Sequence, residues 1–120
     1  MTRTIKLNNS PSLVEVNESS SLVDMQRNCP MFFNFPFGKR ETYTVHRGCL
    51  ICRHTTTFST GKPMRRTVVY LYLPAGFSDS PRPDMYCVSA SGEVHNVRQG
   101  KKLIDKILDG GSYWYGMDRD

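Results

Sequence analysis

TYTVHRGCLICRHTTTFSTGKPMRRTVVYLYL, residues Thr42–Leu73, is the stretch that constrains the arrangement of everything else. Its last seven residues, Thr67–Leu73 (TVVYLYL), are apolar on both alternating sets of positions, the pattern of a central strand covered on both sides. Thr55–Phe58 is rich in β-branched residues, and Ser59-Thr60-Gly61-Lys62-Pro63 reads as a turn. The two strands flanking Gly61 are therefore expected to form an antiparallel hairpin with Arg65 and Arg66 near its tip. Upstream, Thr42–Val45 alternates Thr with Tyr43 and Val45, a strand with one face inward, and Gly48 interrupts it as a bulge or bend.

Beyond this stretch, Pro74–Pro83 is the longest breaker-rich loop. Met85–Ala90 and Glu93–Val97, joined by Ser91-Gly92, predict a second hairpin. Gln99–Asp109 is the clearest helix: Leu103, Ile104, Ile107 and Leu108 fall on one face, Lys101, Lys102, Asp105 and Lys106 on the other, and Gly110-Gly111 ends it. On the N-terminal side, Phe33, Phe35 and Phe37 alternate as an extended row, with Pro36 confining it to a sheet edge. Ser21 and Asp24 have the spacing of a capping box and predict a short helix over Leu22–Arg27. Ser12–Val16 alternates as a short strand, while about residues 1–11 are expected to be frayed. The fold expected for residues 1–120 is one α+β domain, a mainly antiparallel sheet of about five strands with the C-terminal amphipathic helix packed on one face.

The chain's 120 residues suffice for one core. No apolar run reaches the roughly 18–20 residues that span a bilayer. MTRTIKLNNSPSLVEV carries no apolar segment behind its basic residues, so a cytoplasmic location with reduced thiols and no membrane association is expected. Cys49 and Cys52 then attract attention through their C-x-x-C spacing. Cys29 and Cys87 would complete a four-thiolate zinc set, with His46 or His54 as substitutes. Only one such pair exists, however, and Leu50-Ile51 inside it has core character where a zinc knuckle shows Pro or Gly. Reduced core thiols and no cofactor are the expectation.

Net charge is +5 and uneven. Residues 39–66 hold seven basic side chains against the single acid Glu41, whereas residues 71–120 are near neutral. Such a concentration attracts phosphates or an acidic protein face. Arg47, Arg53, Lys62, Arg65 and Arg66 are the candidate polyanion-binding residues, and a two-stranded basic ribbon suits a phosphate backbone. Tyr113, Trp114 and Tyr115, following the last helix, form a candidate interface for a partner or for self-association.

Catalytic signatures are missing: the sequence has no G-x-S-x-G, H-E-x-x-H or glycine-rich phosphate loop. His46-Arg47-Gly48 with Phe58-Ser59-Thr60 resembles the Arg-Gly and Ser-Thr elements of ADP-ribosyltransferases, but the two lie too close together and the catalytic Glu pair is absent. His54-Thr55-Thr56 is similar to half of the paired H-x-T signature of two-histidine phosphoesterases, and His95-Asn96-Val97 fails to supply the other half. In type, though not in sequence, the chain resembles the small accessory proteins of bacteriophages, many of which bind and block a host enzyme. The leading expectation is a non-catalytic binding module whose basic hairpin engages nucleic acid, or the acidic surface of a nucleic-acid-handling protein. The alternative is a small enzyme or nucleotide-binding protein with a pocket near His46, Cys49 and His54.

Overall fold

Residues 2–7, 13–33, 39–57, 61, 63–77, 79–89 and 94–114 are described by the structure, a computed structural model. Thr42–Leu73 supplies most of a four-stranded antiparallel sheet, β3 (Lys39–His46), β4 (Cys49–Thr57), β5 (Pro63–Leu73) and β6 (Asp84–Cys87), in the order β3-β4-β5-β6. β5 is paired on both sides, as its two apolar faces require. On one face Cys49, Ile51, Val69 and Leu71 are fully buried; on the other, Leu50, Cys52 and Tyr72 are.

The two faces are covered differently. Helix α1 (Leu22–Asn28) and the single turn α2 (Pro30–Phe33) cover the Leu50 face, where Met25, Phe32 and Phe33 meet Tyr43, Tyr70 and Tyr72. Ser21 caps α1, its hydroxyl accepting the Asp24 N–H while the Asp24 carboxylate accepts the Ser21 N–H. The opposite face lies under α3 (Val97–Gly110) and a second sheet, β2 (Leu13–Asn17), β1 (Thr2–Leu7) and β7 (Ser112–Tyr113), in the order β2-β1-β7. Leu103, Ile104, Ile107 and Leu108 of α3 are buried there. Gly100 brings the helix down onto β4, since a Cβ at that position would stand 3.0 Å from Ile51 Cδ1. Gly111, at φ 72°, ends the helix in the left-handed conformation.

Several expectations are corrected. The described residues form seven strands in two sheets rather than about five in one. The N-terminus is not frayed over residues 2–7: it is the central strand of the smaller sheet, with Ile5 and Leu7 fully buried, while residues 8–11 lie outside the described residues. Phe33 belongs to a helical turn, not an extended row; Phe35 and Phe37 are outside the described residues. The second hairpin loses its return strand, because Val94 and His95 are irregular and Val97 opens α3, residues 90–93 being outside the described set. Gly48, expected as a bulge or bend, is a bend. Arg47 (φ 50°) and Gly48 (φ 74°) are the two central residues of a tight turn joining His46 to Cys49, the φ signs of a type I′ turn.

Candidate functional site

The two ends of the β3–β4 pair use basic residues in opposite ways. At the Arg47 end the guanidinium is enclosed by carboxylates. Arg47 Nε donates to Glu18 (2.7 Å), Nη1 to Asp105 (3.0 Å) and Nη2 to Asp109 (2.9 Å). Arg3 donates to the second Glu18 oxygen at 2.8 Å, and His46 Nε2 lies 2.8 Å from the Asp105 oxygen that Arg47 contacts. The bonds from Arg47 and Arg3 hold the Glu18 carboxyl below its ordinary range. Burial pushes Asp105 up, but the bonds from His46 and Arg47 outweigh it and leave the carboxyl lowered. Arg47, expected on a polyanion-binding face, is instead the clamp between the β2–α1 turn, the β3–β4 turn and α3.

At the other end, strand register gathers cations. Lys39 pairs with Thr55 and Thr55 with Arg65; Arg40 pairs with His54 and His54 with Arg66; Thr42, Arg53 and Thr67 make the next row. Each of the first two rows sets basic residues two strands apart, roughly 10 Å at the usual strand spacing. Successive rows alternate faces, so Arg65 and Arg53 belong to the α3 side and Arg66 to the other. The basic positions thus form a collar round the end of the sheet rather than a stripe on one face. Arg53 Nε is buried and has no hydrogen-bond partner among the described residues. A buried donor left in that state costs about 1–3 kcal/mol. Lys62 lies outside the described residues.

A notch opens beside this collar. β6 pairs with β5 only from Tyr70 to Leu73, and the Val88 N–H then donates to Val69 O (2.9 Å) while the Ser89 hydroxyl accepts the Val69 N–H (2.8 Å). β5 runs on to Pro63 beyond that last described contact. The space between β5 and the Val94–His95 segment is a groove of about 490 Å³, lined by His54, Arg65, Arg66 and His95 together with apolar Val68 and Val94. α3 begins just past His95, so its positive dipole end opens at the same end of the molecule, with Arg98, Lys101 and Lys102 exposed in its first turns.

The cysteines do not converge. Three positions apart on an extended strand, Cys49 and Cys52 point to opposite faces and lie in different core clusters, so their C-x-x-C spacing does not make a two-thiolate turn. Burial pushes the Cys49 thiol up to about 12, which removes it as a nucleophile near neutral pH. Cys29 is half-buried and shifted up by burial and by Asp84, while Cys87 is exposed, its thiol 3.3 Å from Ser89 O. His46 and Cys49 face α3 and His54 faces the other way, so these three residues do not share a pocket. Of the C-terminal aromatics, Tyr113 is core, packed edge-on to Tyr86; Trp114 is exposed and Tyr115 lies outside the described residues.

No protein family, curated protein or solved structure matches this chain. No helix among the described residues is long and apolar enough to cross a membrane.

The sequence passes over Lys39, Arg40 and His95 as binding residues, and points to His54 only for zinc or for a pocket shared with His46 and Cys49. Lys39 and Arg40 precede the hairpin in the chain and reach its open end only through the β3–β4 register. His95 arrives from the far side of a segment that sequence patterning assigns to a strand. The one legible signal was the seven-to-one charge balance of residues 39–66, which marks the region without distinguishing its two ends.

Proposed function

We propose that this protein is a non-catalytic binding module that engages nucleic acid through the collar of Lys39, Arg40, Arg53, Arg65 and Arg66 at the open end of the β3–β4–β5 sheet. The carrying observation is the register that assembles these residues from three strands, next to a buried Arg53 N–H without a hydrogen-bond partner among the described residues. Holding cations together at one end costs electrostatic energy, and a polyanion with a charge every few ångströms returns it through counterion release. Arg47 is excluded from the binding set because its guanidinium is committed to Glu18, Asp105 and Asp109. Binding of this kind needs no metal, and the cytoplasm is a compartment where nucleic acid and reduced thiols coexist. An acidic, nucleic-acid-like face on a partner protein is the competing occupant, and the same experiment separates the two.

Fluorescence anisotropy with a labelled oligonucleotide at several salt concentrations tests the proposal. The logarithm of affinity should fall linearly with the logarithm of salt, with a slope of about 3–5 for four or five phosphate contacts. Arg65→Ala/Arg66→Ala should reduce that slope by about two and weaken binding at low salt. Affinity that ignores salt and both arginines would refute the collar. Absence of oligonucleotide binding, with capture of an acidic protein that depends on the same arginines, would transfer the site to a protein partner.

A further inference from the structure

We infer that the notch beside β5 seats one unstacked nucleotide, so that the preferred polyanion is a single strand rather than a duplex; this rests on the nucleic-acid reading above and narrows it. The volume of about 490 Å³ falls in the range of small-molecule sites. Its walls divide by chemistry as a nucleotide does. Arg65 and Arg66 supply cationic groups for a phosphate, His54 and His95 supply planar rings, and Val68 and Val94 supply an apolar wall for base and sugar. None of the described lining residues is acidic, so nothing among them repels an anion.

The position of the notch supports the same conclusion. The groove lies at a sheet edge: the described pairing of β6 with β5 ends at Tyr70, Val88 and Ser89 make the last described contacts with Val69, and β5 continues to Pro63. A duplex presents a convex phosphate surface with its bases stacked inside and unavailable to a recess of this kind. A single strand can turn one base into it while neighbouring phosphates run across the collar rows Lys39–Thr55–Arg65 and Arg40–His54–Arg66. Among the described residues this sheet offers no row of exposed aromatic rings, the usual stacking platform. Phe32, Phe33, Tyr43 and Tyr70 are packed against one another under α1 and α2. The imidazoles and the Arg66 guanidinium are therefore the flat groups on which a base would lie.

His95 separates the notch from the collar. Its side chain is exposed and outside both core clusters, so His95→Ala should melt as the wild type does. The measurement is anisotropy of labelled oligothymidylate and of a duplex of mixed sequence at equal salt, with thymidine monophosphate and inorganic phosphate as competitors. The single strand should bind at least tenfold tighter than the duplex, and the monophosphate nucleotide should compete better than phosphate. His95→Ala should weaken oligothymidylate roughly five- to hundredfold, the range of one lost base stack, without changing the salt slope. Equal affinity for duplex and single strand, with an inert His95→Ala, would overturn the notch while salt dependence through Arg65 and Arg66 kept the collar intact. Loss of the arginine dependence as well would bring down both.

Discussion

Arg47 and Arg66 sit at opposite ends of the same sheet, in a segment whose sequence is uniformly basic, yet their surroundings differ in kind. Around Arg47, three carboxylates arrive from the β2–α1 turn and from α3, and the guanidinium welds three elements together. Around Arg66, the nearest cross-strand row holds His54 and Arg40, and the adjoining groove has no described acidic residue. Basic residues near one another in sequence therefore stand in different surroundings, and three described carboxylates gather at the Arg47 end. The Arg47 end is a structural clamp; the Arg66 end is the one proposed to meet a polyanion.

This contrast can be broken most forcefully at the clamp. A Cβ on Gly48 would lie 1.9 Å from the Asn17 carbonyl oxygen, and the residue's φ is 74°. Gly48→Ala should cost about 2–5 kcal/mol, combining left-handed strain with overpacking, and urea denaturation would measure it. A variant within about 0.5 kcal/mol of wild type would mean that the turn does not approach Asn17 so closely.

Alkaline titration probes the neighbouring Cys49. Its folded-state pKa of about 12 exceeds the unfolded value, so the unfolded chain releases the proton first and stability should fall as pH rises from about 9 to 12. The slope attributable to this thiol approaches 1.4 kcal/mol per pH unit, and Cys49→Ala should remove it.

Acid acts on the clamp with the opposite sign. Glu18 and Asp105 are lowered in the folded state, so their contribution is complete above the unfolded carboxylate pKa of about 4 and disappears as pH drops through the lower folded values. Melting temperature should decline over that interval, and Arg47→Met should flatten the decline while lowering stability at neutral pH. The smallest effect belongs to the open end. Arg65→Ala/Arg66→Ala should leave stability within about 0.5 kcal/mol of wild type, since Arg65 is exposed and Arg66 only partly covered, while oligonucleotide binding fails. If the two ends responded alike in stability, the distinction between clamp and binding surface would collapse.

What could be read in the chain without its fold was local. The α3 face of Leu103, Ile104, Ile107 and Leu108, the Ser21–Asp24 capping box and the doubly apolar β5 are each defined by spacings of a few residues, and each is present. The polar hexapeptide TRTIKL has only Ile5 and Leu7 to mark it, and its partners are β2 and the distant two-residue β7, so its place as a central strand was not locally encoded. Charge is the deeper case. Arg47 finds its carboxylates 29, 58 and 62 residues away, whereas Arg66 meets His54 and, one strand further, Arg40 through strand register. The same holds for Cys49 and Cys52, whose pairing by spacing is undone once Cys49–Thr57 is extended and consecutive odd and even positions face opposite sides. Sequence alone determined where the core elements lie and that one region is basic, because periodicity and composition are properties of neighbours along the chain. Only the tertiary structure decided that Arg47 is clamped among carboxylates and where the groove lies, because Coulomb interaction and burial depend on distance through space.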